Sequence, residues 1–115
     1  MKERPVNKRV LEYVNRIRIK HNCKPLKALP KGRPGGIRAV SGKHCGTKGC
    51  VIANALLAVV PSGGFVDVDG EQIAFGKNHE IPYDKYERID VPQYIAKFID
   101  RFDNGSYPQL ELAEE

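Results

Sequence analysis

Residues 41–50, SGKHCGTKGC, place one histidine, two cysteines, two lysines and three glycines directly before the apolar run VIANALLAVV. These residue types suit a zinc site, a phosphate-binding loop or a reactive thiol. Zn²⁺ is usually held by pairs of cysteines or histidines that a short turn presents together. The possible ligands are His21, Cys23, His44, Cys45, Cys50 and His79, and their spacing departs from the familiar pairs. We therefore predict no metal ligand and no cofactor. A zinc-stabilised module, built on the three cysteines with His21 or His44, stays open as an alternative.

The same stretch lacks the parts that catalysis needs. HCGTKGC resembles the His-Cys-x5-Arg loop of cysteine-dependent phosphatases, but Val51 occupies the arginine position. Without that cation the transition state loses its main charge partner. A P-loop requires Gly-Lys-Ser/Thr, and Gly42-Lys43 is followed by His44. A Cys50 thiolate with a histidine base would lack an orienting third residue. We predict that the protein is not an enzyme and takes no small-molecule substrate.

Glycines and lysines in the stretch still suit the binding of an anion. Gly42, Gly46 and Gly49 allow backbone N–H groups to converge, and Lys43 and Lys48 add charge. The segment contains no aromatic residue, so base stacking is not encoded there. Any contact with nucleic acid would follow the phosphate backbone. The predicted anion- or partner-binding residues are Lys27, Lys31, Arg33, Arg38, Lys43 and Lys48.

Charge is divided unevenly along the chain. Residues 1–50 carry 14 Lys and Arg against two acidic residues, a formal charge of +12, whereas residues 51–115 carry five against 12, a charge of −7. Such asymmetry favours a basic face directed at an anionic partner. The alternative is that the two halves fold against each other and neutralise their charges.

Helical periodicity marks both ends of the chain. Val6, Val10, Val14 and Ile17 predict a basic amphipathic helix over residues 6–20. The run CVIANALLAVV predicts a buried helix at about 50–59, which Pro61 ends. Apolar residues at helical spacing predict a last helix from about Pro92 to Asp103, with Asn104-Gly105 as its left-handed stop.

The segment GFVDVDGEQIAFG predicts a β-hairpin with a type I′ turn at Asp69-Gly70. A two-residue loop pairs Val68 with Glu71 and Val66 with Ile73, and places Val66, Ile73 and Phe75 on one face. We predict an α+β fold: a small single domain of about three helices with one two-stranded antiparallel hairpin. Residues 1–49 form the basic helix and loop, 50–105 the core, and 106–115 an acidic tail that is loosely held unless Tyr107 and Leu110 dock.

The sequence shows neither a membrane-spanning stretch nor a signal-peptide core, and both features bear on the location of the protein. The longest apolar stretch is too short to span a bilayer, and the charged opening MKERPVNKRV has no signal-peptide core. Three cysteines in such a chain favour reduced thiols over disulfides. We predict a cytoplasmic protein with no membrane partner.

Three stretches resemble a known group of proteins. CVIANAL (Cys50–Leu56) and VPQYIAKFIDRFDNGSYPQL (Val91–Leu110), with the opening VLEYVNRIRIKHNCKPLKALPKG, resemble small accessory proteins encoded by actinobacteriophages and their hosts. The resemblance covers about half of the chain. It implies a phage accessory protein acting in the host cytoplasm, and it transfers no functional residue.

Together these observations predict a non-enzymatic accessory protein that binds an acidic host protein or nucleic acid through its basic N-terminal half. A nucleic-acid-binding regulator and the zinc-stabilised module are the alternatives.

Overall fold

The computed structural model describes residues 5–42, 48–78, 80, 82 and 85–112. The elements in chain order are α1 (Lys8–Lys20), β1 (Arg38–Val40), α2 (Val51–Ala55), β2 (Phe65–Val68), β3 (Gln72–Gly76), β4 (Glu87–Asp90) and α3 (Gln93–Asp103). Short 3₁₀ turns follow α2 at Leu57–Val59 and α3 at Pro108–Leu110. No helix in these ranges combines the length and apolar character that crossing a membrane requires.

The sheet has four antiparallel strands in the order β1-β2-β3-β4. The α+β class and the three helices are confirmed, but the prediction of one two-stranded hairpin is wrong. The two additional strands are the edges of the sheet. Their sequences, RAV and ERID, are short and carry charges, as edge strands often do. Neither shows the alternating pattern by which a strand is recognised in sequence.

The predicted hairpin is present, but its register is shifted. Val68 pairs with Ile73 and Val66 with Phe75, two residues away from the predicted partners, and the Asp69 N–H donates to Gln72 O at 3.0 Å. The Asp69 side chain causes the difference, because its Oδ1 accepts hydrogen bonds from the backbone N–H groups of Glu71 and Gln72, both at 2.7 Å. Neither central residue of the predicted type I′ turn has a positive φ. A shift of two residues preserves the alternation of faces, so Val66, Ile73 and Phe75 still share one face.

Helix boundaries follow local capping. The Asn7 side chain accepts from the Arg9 N–H at 2.9 Å and begins α1 at Lys8. Pro92 immediately precedes α3, and Gly105, with φ +83°, follows its end. The predicted helix at 50–59 is divided into α2 and the first 3₁₀ turn.

The core lies between the three helices and one face of the sheet. Val10 and Val14 of α1, the buried residues of α2, and Ile95 and Phe98 of α3 belong to one apolar cluster with Val66, Val68, Ile73 and Phe75. Phe65 is buried on the opposite face of the sheet, where its ring lies against Gly76.

The segment after α3 is docked, which is the alternative that the sequence left open for Tyr107 and Leu110. Tyr107 is only 3% exposed and its ring centroid lies 5.0 Å from that of Phe98. The backbone continues to Gly32, which donates to Leu110 O at 2.8 Å and accepts from Leu112 N at 3.0 Å. The late acidic part of the chain therefore reaches the basic N-terminal loop.

Candidate functional site

Five of the six predicted binding residues are exposed; Arg38 is paired with Asp67, and the other four are Lys27, Lys31, Arg33 and Lys48. Within the described residues, none of these four has a carboxylate at ion-pair distance. We call these four residues the basic loop. The predicted role of Lys43 lies outside the described residues.

Arg38 is different from the other predicted residues. Its guanidinium makes a bidentate contact with Asp67 on the paired strand, with Nε to Oδ1 at 2.6 Å and Nη2 to Oδ2 at 2.7 Å. It also lies 4.0 Å from the centroid of the Phe65 ring. The hydrogen bond to Asp67 raises the pKa of Arg38 above its usual value. Arg38 therefore holds β1 on β2 rather than offering a free cation to a partner.

One side chain, Asn54 of α2, links the backbone of Lys31 to that of Gly49, the residue after Lys48. Its Oδ1 accepts from the Gly49 N–H at 2.9 Å, and its Nδ2 donates to Lys31 O at 2.9 Å and to Gly49 O at 3.1 Å. Arg33 N also donates to Gly49 O at 2.9 Å. The backbones of Lys31 and Arg33 are therefore held near Gly49, although up to 18 residues of chain separate them.

The fourth residue, Lys27, is anchored on α1. Asn15 donates from Nδ2 to Leu26 O at 2.9 Å and accepts at Oδ1 from Leu26 N at 2.7 Å. The Asn15 amide thus bonds both backbone groups of Leu26, as a neighbouring strand would, and fixes the position of the residue before Lys27. The basic loop therefore begins beside the exposed face of α1.

The exposed face of α1 adds further positive charge. Lys8, Arg9, Arg16 and Lys20 are exposed, with Glu12 the acidic residue among them. The Arg9 guanidinium lies 4.0 Å from the centre of the Tyr94 ring, a cation–π contact that leaves its charge on the surface. By contrast, Arg18 is used internally, because it donates to Lys24 O and Ala55 O, both at 2.8 Å.

Glycines in this region permit close packing of backbones. A Cβ on Gly32 would overlap the backbone of Cys50 and Val51, and one on Gly49 would lie 2.9 Å from the Arg38 carbonyl carbon. The Gly49 N–H is already bonded to Asn54, so it is not available to an anion. The predicted glycine nest is therefore incorrect at Gly49.

The late carboxylates touch this region without pairing with its cations. Asp103 Oδ1 accepts from the backbone N–H of Gly35 at 2.7 Å. Glu111 lies beside Gly32 in a short parallel bridge. Their contacts hold the loop through its backbone, so the described lysine and arginine side chains of the basic loop remain unpaired.

Cys50 begins α2 as a buried residue, 3% exposed. Burial raises the pKa of the Cys50 thiol, which disfavours the thiolate that catalysis or zinc binding requires. Cys23 lies at the other end of the helical segment, with its Sγ 3.4 Å from Ala58 O. The part of the chain that the structure describes contains no group of three or more potential metal ligands. His44, Cys45 and His79 lie outside that part.

Asn54 is the residue that sequence reasoning missed. The only signal was a single polar side chain inside an otherwise apolar run, and its partners at Lys31 and Gly49 could not be identified from spacing. Comparisons with protein-family models, with curated proteins and with solved structures found no match.

Proposed function

We propose that this protein is a non-enzymatic, phage-type accessory protein that binds the phosphate backbone of a nucleic acid in the cytoplasm of the host. The observation that carries the proposal is that Lys27, Lys31, Arg33 and Lys48 are exposed and that no carboxylate of the described residues lies at ion-pair distance from them. A binding surface requires cations that do not already neutralise carboxylates of the same chain. The backbones of Lys31 and Arg33 are also held in place, by hydrogen bonds to the Asn54 side chain and to Gly49 O respectively.

The arrangement favours phosphates over a single carboxylate. The cations are distributed over the loop and the exposed face of α1, where Lys8 and Lys20 are about 18 Å apart along the helix axis at 1.5 Å per residue. A duplex carries one phosphate charge per about 1.7 Å of its axis, so a surface of this length can contact several phosphates. Because the contacts are electrostatic and sequence-independent, binding depends steeply on salt.

An acidic host protein is the second candidate, supported by exposed apolar residues. Ile37 is 61% exposed and lies between the basic loop and Arg38, and Ile19 on α1 is 58% exposed. Apolar side chains next to cations suit a protein interface better than a phosphate backbone.

The test measures fluorescence anisotropy of labelled 20-mer DNA and RNA over a range of KCl concentrations. The variant is K31A/R33A, and its matched control is K97A/R101A, which removes the same two residue types from the exposed side of α3. We expect K31A/R33A to reduce the slope of log K against log[salt] by about two and the control to leave it unchanged.

Two results would reject nucleic-acid binding. One is the absence of binding to any of the oligonucleotides at 50 mM KCl; the other is an equal change in the two double variants. In the first case, a pull-down that retains a partner after nuclease treatment, and loses it with K31A/R33A, would support the acidic protein instead.

A further inference from the structure

A cleft of about 370 Å³ lies at the opposite end of the buried helical segment from the basic loop. It opens between the C-terminal end of α1, the 3₁₀ turn Leu57–Val59, and the neighbouring ends of β3 and β4. Ligand-binding clefts in proteins are commonly about 300–1,000 Å³ in volume, with apolar walls and a few polar groups. This cleft is at the lower end of that range.

Part of the cleft wall is apolar. Val59, Val60 and Phe75 line it, and Val60 and Phe75 are largely buried in the core. The His21 ring lies over Phe75 with centroids 6.0 Å apart and planes inclined at 35°. A flat or branched apolar group would therefore contact fixed side chains rather than mobile ones.

The orientation of His21 is fixed by two contacts. Nδ1 lies 3.0 Å from the carbonyl oxygen of Ile17, and a carbonyl can only accept, so Nδ1 carries the hydrogen. Nε2 then faces Glu87 Oε1 at 3.7 Å. Glu87, the acidic residue among the described lining side chains, forms an ion pair with His21 only when the imidazole also carries a proton on Nε2.

The other charged residues of the rim are positive. Lys77 and Lys85 line the cleft from the two sides of the β3–β4 connection, and both are exposed. No described carboxylate lies within ion-pair distance of either lysine. The cleft therefore combines apolar side chains with two lysines at its mouth that have no ion-pair partner among the described residues.

We propose that this cleft binds a small organic anion with an apolar, ring-shaped body, the body against Phe75 and the anionic group between Lys77 and Lys85. The proposal departs from the prediction that the protein takes no small-molecule substrate. It is independent of the proposed nucleic-acid binding, since the two surfaces share no residue.

The probe is 8-anilinonaphthalene-1-sulfonate, which carries an aromatic body and one anionic group. Its neutral counterpart, N-phenyl-1-naphthylamine, lacks the sulfonate. We expect saturable binding of the sulfonate by the folded protein, with amide and side-chain NMR shifts centred on His21 and Phe75. The variant K77A/K85A should weaken sulfonate binding about three- to tenfold and leave the neutral probe unaffected.

Two further variants distinguish binding in the cleft from binding at the basic loop. Glu87→Gln removes a negative charge from the rim of the cleft and should strengthen binding of the sulfonate. K31A/R33A should leave it unchanged, whereas K77A/K85A should leave the salt slope of nucleic-acid binding unchanged. Near-UV circular dichroism confirms that each variant is folded, because partly unfolded states also bind this dye.

Three results would overturn the proposal: no saturable binding by folded protein, NMR shifts centred away from the cleft, or equal affinity of wild type and K77A/K85A for the sulfonate. None of these results tests nucleic-acid binding, so either proposal can be rejected while the other stands.

Discussion

Replacement of Asn54 by alanine tests whether one side chain holds the basic loop. The substitution removes three hydrogen bonds, to Gly49 N, Gly49 O and Lys31 O, at 2.9–3.1 Å. Each such bond contributes about 0.5–1.5 kcal/mol net. Since the contact to Lys31 is solvent-exposed, we expect a total loss of about 2–3 kcal/mol.

For a domain of this size, a loss of that magnitude lowers the melting temperature by about 10 °C. Urea unfolding followed by far-UV circular dichroism measures the free energy directly. The matched control is Asn104→Ala, which removes one exposed bond, from Asn104 Nδ2 to Asp100 O at 2.8 Å, and should cost less than about 1 kcal/mol.

Asn54→Asp sharpens the test. The aspartate keeps an acceptor for the Gly49 N–H, but it places an oxygen against the carbonyls of Lys31 and Gly49, where the amide donated. We expect it to be at least as destabilising as alanine. If the unfolding free energy of Asn54→Ala lies within about 0.5 kcal/mol of the wild-type value, or if Asn54→Asp is as stable as wild type, then the assigned role of Asn54 is wrong.

Two other substitutions test packing and ionisation. Gly76→Ala places a methyl group into the ring of Phe65 and should lower the free energy of unfolding in urea by about 1–3 kcal/mol. The control is Gly70→Ala, which has no neighbour within 4 Å and should be nearly neutral. Equal effects of the two substitutions would contradict the packing of Phe65 against Gly76. Burial raises the pKa of Cys50, so as the pH rises the thiol of the unfolded chain loses its proton before that of the folded chain. The contribution of the neutral buried thiol to the free energy of unfolding is therefore present below about pH 9 and declines as the pH rises further. The unfolding free energies of wild type and Cys50→Ala should therefore converge between pH 8 and 10.5, and parallel curves would refute a neutral buried thiol.

Sequence periodicity was sufficient for the elements whose own residues determine them. The boundaries of α1 and α3 and the shared face of Val66, Ile73 and Phe75 follow from local pattern and capping. β1 and β4 could not be predicted, because three or four residues with charged side chains become strands only through pairing with β2 and β3. The hairpin register depended on hydrogen bonds from the Asp69 side chain, which compete with the turn expected from Asp-Gly.

The residue types of the candidate site could be predicted from the sequence, but the contacts of its individual residues could not. Exposed lysines follow from the charge of the loop, but Arg38 is neutralised by Asp67, a residue 29 positions away in sequence. The cleft was missed because residues from α1, the 3₁₀ turn and two strands form it together. No spacing rule connects His21 with Lys85 and Glu87.

The docking of the C-terminal segment on Gly32 and of Asp103 on Gly35 has a consequence for synthesis on the ribosome. Unlike the contacts from Asn15 and Asn54, these two contacts depend on residues that are translated nearly last, since Gly35 and Asp103 are 68 residues apart. At elongation rates of about 5–20 residues per second, the ribosome takes roughly 3–14 s to reach Asp103 after Gly35 has been added. During that interval the cationic segment can be held by Asn15 and then Asn54, but not yet by Asp103 or Leu110.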